Sequence, residues 1–426
     1  MILDQIISIT IVMEKDKQQG NQDQVKLEKK PSSTPSKTVV NNIEEVTKSG
    51  PPKIEKKPSK ELPSDLNEKL AAAFGAILEA NKGMNVITSA LSIYMSFAVL
   101  AEGMTGEGWK ELQKTFGFVD GSILDKKTLE SIEHFVSKDN DDVLIHMDTS
   151  LFTNKNVKLK KDYIEAIKKK YFSSAESLDF SDPKTVSIIN EKIAYNTNNL
   201  VKYGIQKLSP TSLAVLVNTI YFKGVWADPF NQENTFEHEF KKADDSKVTV
   251  EFMAKKNSYF RFKHTDRYSY LSIPYQSEET TFVIEMAKDG KLDTTHNPKE
   301  VIDVAKNVDK QMCDIFVPKF KSVFNCDMIP ILKELGLNRV FISNKDFSKI
   351  TDHNMCINNI VHNACIQVDE EGTEACAFTM EVMEGQIAAA EVEIPKFIAD
   401  RPFFFHIVDC VREVILFSGT IEEPKF

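Results

Sequence analysis

The chain has 426 residues, 42% of them hydrophobic, and a formal net charge of -10 at pH 7. That apolar fraction is ample for a large core, and length alone suggests roughly two or three domains. The acidic balance offers no basic face to a phosphate backbone, which excludes nucleic acid as a main partner, and no apolar run reaches the roughly 18 residues of a membrane-spanning helix.

The first residues, MILDQIISITIVMEKD, hold a short apolar patch, but Asp4 stands where a secretory leader has its basic region and no small-x-small cleavage site follows. No Asn is followed two positions on by Ser or Thr, so the chain has no N-glycosylation acceptor. Both features favour a cytoplasmic protein over an extracellular one. From Glu14 to about Ser64 the sequence is rich in Lys, Gln, Ser, Pro and Glu, without an aromatic residue. Such a segment buries too little apolar area to offset its ordering entropy, so residues 1–64 are expected to be a disordered extension.

Order is expected from Asp65, which with Glu68 makes a capping box ahead of Leu66, Leu70, Phe74 and Ile77 on one helical face. A second apolar helix runs through Leu91 to Leu100. The lysines of KNVKLKKDYIEAIKKKYF read as the solvated face of an amphipathic helix, because acidic and apolar positions interrupt them. LAVLVNTIYF at 213–222 is nearly all apolar and stops at Lys223-Gly224, as a strand buried on both faces does. Further strands are predicted at 248–253, 270–275, 281–287, 313–320 and 411–421. Helices thus dominate the first half and strands the second, which indicates an α+β fold.

Catalytic signatures are absent: no GxSxG elbow, HExxH helix, Walker A loop or Rossmann glycine fingerprint occurs. His238-Glu239 lacks a second His for zinc, so neither a metal nor a cofactor is called for, and the protein is not expected to be an enzyme. Cys313, Cys326, Cys356, Cys365, Cys376 and Cys410 show no CxxC pair and read as free thiols.

Four stretches carry a family resemblance: VNTIYFKGVWADPF at 217–230, DIFVPKFK at 314–321, VHNACIQVDEEGTEACAFT at 361–379 and RPFFFHIVDCVREVILFSGTIEEP at 401–424. From Asn85 onward the chain resembles a serpin. The resemblance implies one domain over 65–426 with three β-sheets, about nine helices and an exposed reactive-centre loop over about 370–396. It also implies inhibition by suicide: a target endopeptidase cuts the loop, remains bound as a covalent acyl ester, and is carried across as the loop inserts into the main sheet. No cofactor is implied, and a monomer is expected.

The loop sequence suits insertion on its own terms. In a strand, Thr373, Ala375, Ala377 and Thr379 share one face and Glu374, Cys376, Phe378 and Met380 the other. In serpins the first set turns inward, and all four are small. Glu370, Glu371 and Gly372 precede them, the glycine supplying backbone freedom for the hinge to bend. Phe378 departs from the small residue usual in inhibitory hinges but faces outward, whereas Glu381 falls on the inward series and would lose hydration late in insertion. These two departures keep a non-inhibitory serpin, with a chaperone, carrier or storage role, as the alternative.

Ser89, Ser92, Asn218 and His362 match the family's shutter cluster, with Ala90 in place of the usual proline, and Trp226 matches the tryptophan where the loop enters. The family's spacing from Glu370 puts the scissile bond at Gln386-Ile387; counting back from Arg401-Pro402 puts it near Ala388, Ala389 and Ala390. No Lys or Arg lies between Gly372 and Pro395, so a trypsin-like target has nothing to bind. The small and aliphatic residues suit an elastase-like serine protease or a papain-like cysteine protease, and the absence of Asp from 370 to 399 argues against a caspase.

Overall fold

The computed structural model describes residues 64–120, 123–124, 133–134, 143–293, 297–373 and 394–426. Helix α1 (Ser64–Ala80) starts one residue before Asp65 and buries Phe74 and Ile77. Strand β1 (Val86–Thr88) leads into Ser89, whose side chain caps α2 (Ala90–Gly103). Most of α2 is buried, which is why its sequence is apolar all round and not striped. α3 (Gly106–Phe116) ends on Gly117, in the left-handed conformation that a glycine adopts without strain.

β2 (Val143–Asn154) and β3 (Ser174–Leu178) flank α4 (Lys161–Tyr171). α4 is amphipathic as expected: Tyr163, Ile167 and Tyr171 are buried while Lys168, Lys169 and Lys170 face solvent. After α5 (Lys184–Asn196) comes β4 (Ala214–Val225), buried almost throughout, in keeping with its unbroken apolar sequence.

The second half is mostly strand: β5 (Phe236–Lys241), β6 (Lys247–His264), β7 (Tyr268–Pro274) and β8 (Thr280–Ala287) come first. α6 (Pro298–Lys306) precedes β9 (Lys310–Pro318) and β10 (Phe320–Asp327), and α7 (Ile329–Glu334) precedes β11 (Asn359–Val368). The last strands are β12 (Gly372–Thr373), β13 (Lys396–Ile398), β14 (Phe403–Asp409) and β15 (Val414–Ile421).

One six-stranded sheet has the order β10-β11-β12-β4-β2-β3. At its centre β11 and β4 pair parallel from Asn359 opposite Val215 to Cys365 opposite Tyr221. Beyond that point β12 lies between them, with Thr373 opposite both Val368 and Gly224. The remaining strands form one nine-stranded sheet, so two hydrogen-bonded sheets are seen among the described residues where three were expected. The cause is β6, which pairs with β5 at its start, β9 through its middle and β7 at its end, and so joins two small sheets through one strand. A register shift between Lys255 and Ser258, with Asn257 at φ 55°, marks the join.

Seven α-helices and two short 3-10 turns lie among the described residues, against about nine helices expected, and the architecture is α+β. The principal core lies around α2, sandwiched between the two sheets; a second cluster sits between α5 and the outer face of β4 and β11. No helix among the described residues is long and apolar enough to cross a membrane.

Candidate functional site

Two polar clusters occur along the seam between β4 and β11. The first lies at its middle, inside the core. Ser89 caps α2 by accepting the Ser92 amide at 3.1 Å, and this fixes Ser92 over the sheet. Asn218 of β4 stands directly opposite His362 of β11. Its Nδ2 donates to Ser92 Oγ at 2.7 Å and its Oδ1 lies 2.6 Å from His362 Nδ1. A carbonyl oxygen only accepts, so the imidazole proton sits on Nδ1, and Nε2 accepts from the Thr88 hydroxyl at 3.1 Å.

All of these side chains are at most 2% exposed. Burial pushes the His362 imidazole down to about 3, so it is neutral at pH 7. Ser96 and Thr149, hydroxyl to hydroxyl at 2.9 Å, extend the cluster to β2, and Asn218 Nδ2 also lies 3.3 Å from Thr149 Oγ1. One hydrogen-bonded chain therefore ties β1, α2, β2, β4 and β11 together.

The second cluster lies at the end of the seam where β12 enters. Glu370 and Glu371 are the two residues of a tight turn closed by the Asp369 amide on the Gly372 carbonyl at 3.0 Å. Three main-chain carbonyls of this turn are held from the segment after β4. Trp226 donates from its indole to Asp369 (2.9 Å) and from its amide to Glu371 (3.0 Å), and the Phe230 amide donates to Glu370 (2.7 Å). The Glu370 carboxylate accepts from the Thr235 hydroxyl at 2.7 Å and pairs with Lys319 at 3.3 Å. Lys319 is shared with Glu251 of β6, at 3.5 Å.

Trp226 stacks on Tyr275 with ring centroids 4.7 Å apart, and the Tyr275 hydroxyl lies 2.6 Å from Thr373 Oγ1. Thr373 is fully buried, and burial raises the Tyr275 phenol so that it stays protonated. A Cβ on Gly372 would lie 2.1 Å from the Gly224 carbonyl oxygen. The close approach of β4 thus requires a glycine here in this state, where its φ is not positive.

Of the residues singled out from sequence, the structure brings Ser89, Ser92, Asn218 and His362 into the first cluster. Trp226, Glu370, Glu371, Gly372 and Thr373 fall in the second. Glu374, Ala375, Cys376, Ala377, Thr379, Gln386, Ile387, Ala388, Ala389 and Ala390 lie outside the described residues. Sequence reasoning missed Thr88, Ser96 and Thr149 in the first cluster and Thr235, Tyr275 and Lys319 in the second. Lys319 had a signal, a cation in an otherwise apolar strand end, VPKF; the hydroxyls had none.

Comparison with known proteins agrees with this architecture. A family model described as "Serpin (serine protease inhibitor)" matches residues 65–424. Neuroserpin from Homo sapiens is 26% identical over 361 residues, spanning 80% of this chain and 86% of that protein. The structure of native protease nexin-1 with heparin superposes with a TM-score of 0.74 at 25% identity, covering 84% of this chain and 98% of that one. Human thyroxine-binding globulin shares the fold with a TM-score of 0.75 at 24% identity, covering 85% and 98%.

Proposed function

The chain belongs to the serpin family, and we propose that it is an inhibitory member: a suicide substrate that traps an endopeptidase by inserting its own cut loop. The observation that carries this reading is the position of β12. Gly372 and Thr373, in the hinge at the start of the loop, already lie as a strand between β4 and β11. Extension of that strand by the following small residues needs only the parting of two neighbours that β12 has begun to separate.

The chemistry belongs to the protease. Its serine or cysteine attacks the loop's scissile carbonyl, the peptide bond breaks, the new amino terminus leaves, and an acyl ester or thioester remains. The chain's part is mechanical: insertion adds a central strand and moves the acyl-enzyme away before water completes the hydrolysis. The first polar cluster holds β4 to β11 until then, and its bonds to Asn218 and His362 are those that insertion must exchange.

The target is taken to be an elastase-like serine or papain-like cysteine endopeptidase, with cleavage within Gln386 to Ala390, because the loop presents small and aliphatic residues and no basic one. Incubation with one protease of each type, followed by denaturing electrophoresis, tests this. A denaturant-resistant complex is expected, with a released peptide beginning within 387–390. Clean cleavage without a complex would favour the non-inhibitory alternative, for which Glu381 on the inward face is the specific observation.

A further inference from the structure

The turn that holds the hinge is crowded with carboxylates. Asp369, Glu370 and Glu371 are consecutive, and among the described residues one cation pairs with them: Lys319, from the link between β9 and β10, which pairs with Glu370 and is shared with Glu251 of β6. No cation pairs with the Asp369 carboxylate among the described residues: it accepts from the Gln367 side-chain amide at 3.3 Å, the Glu371 backbone amide at 3.1 Å and the Gly372 backbone amide. Glu371 has a buried carboxylate oxygen, Oε2, without a hydrogen-bond partner among the described residues. The other side chains bonded to the turn or to Thr373 among the described residues are neutral, Trp226, Thr235 and the protonated Tyr275, and the charged groups of the adjoining 226–230 segment, Asp228 and the Lys255 that lies over Phe230, pair with each other.

We propose that this turn is a proton-operated clasp: with Glu371 and Asp369 neutral it holds Gly372 and Thr373 between β4 and β11, and with both charged it lets them go. This rests on the reading of 372–373 as the start of an inserting strand, and adds to it a control by pH. A desolvated oxygen without a donor is tolerated far better in a neutral carboxyl than in a carboxylate. Two adjacent charges confined to one turn also repel, and expulsion of the hinge returns both to water. Burial raises Asp369, and burial with the neighbouring Asp369 and Glu370 charges raises Glu371. The sign follows: a raised carboxyl binds its proton more tightly in the clasped state, so acidification favours the clasp and neutral to alkaline pH favours release.

The test uses the full chain with Trp109→Phe, which leaves Trp226 as the remaining tryptophan. Its emission is followed from about pH 8 down to about pH 4, the ordinary carboxylate range from which both groups are raised, alongside amide exchange of residues 369–373 corrected for intrinsic pH dependence. The expected result is a single transition, with exchange at least threefold slower on the acid side, and its loss in Asp369→Asn/Glu371→Gln, which stays slow throughout. Equal profiles in the two proteins would overturn the clasp, as would exchange that speeds up on acidification. Both readouts report the hinge in the free protein, so they are separate from complex formation, whose failure would instead overturn the inhibitory reading.

Discussion

His362 shows how much one buried side chain decides. Its imidazole is neutral in the fold, pushed down to about 3 by burial, whereas in an unfolded chain it titrates near its ordinary value of about 6.5. Between those limits the unfolded chain binds a proton that the native one refuses. Stability is therefore complete above about pH 6.5 and is lost as pH falls toward about 3, by on the order of a few kcal/mol. Urea midpoints measured across that range should fall with pH in the wild type and less steeply in His362→Gln. The residual slope belongs in part to His406, which burial also pushes down to about 3. An unchanged slope would remove His362 from the account. Asn218 is the residue on which the cluster converges, and Asn218→Ala orphans both Ser92 Oγ and His362 Nδ1. We expect a loss of about 2–4 kcal/mol by urea denaturation. Glu370→Gln should cost less, about 1–3 kcal/mol, because Lys319 is partly exposed and keeps Glu251 as a partner.

Among the elements, those decided by local pattern were legible in the sequence and those decided by distant partners were not. β4, β7, β8 and β15 fall within a few residues of their predicted spans, since an apolar run closed by a glycine or a charge carries its own boundaries. β6 was foreseen only over 248–253, yet it runs to His264, because its exposed half alternates around charged residues and is held by β9 and β7. For Gly372 the structure adds a reason that the sequence does not carry: no pattern announces that the Gly224 carbonyl will lie against it. The two-residue β12 had no local signal, and the polar hydroxyls of the first cluster were invisible for the same reason. The hinge element supplies its own test. Thr373 is fully buried against Tyr275, so Thr373→Arg would force a charge into that site and stop insertion at its first step. The variant should be cut at the wild-type rate yet form no stable complex with the protease, turning inhibitor into substrate; equal complex yields would contradict the insertion mechanism.

Over the whole molecule, the inhibitory reading places metastability in the six-stranded sheet. Six strands cover the core with β4 and β11 paired parallel at the centre, and the sequence that would separate them is tethered at both ends, at Thr373 and at Ile394. On that reading the covalent tether prevents the most stable arrangement, and the native state is held by a barrier and not by its depth. Cleavage of the loop removes the tether without altering any described contact. If the cut loop becomes a full central strand, it adds antiparallel pairing on both sides and buries its inward row of small residues. Such a strand contributes on the order of 10 kcal/mol, and at about 2 °C per kcal/mol the melting temperature should rise by on the order of 20 °C. The measurement is a thermal melt before and after a single loop cut, by whichever protease leaves the rest of the chain intact. A rise shows that the loop inserts, with or without a trapped protease. An unchanged melt after complete cleavage would mean that the sheet does not open, and that the β4–β11 seam with its Asn218–His362 bond is a permanent part of the core.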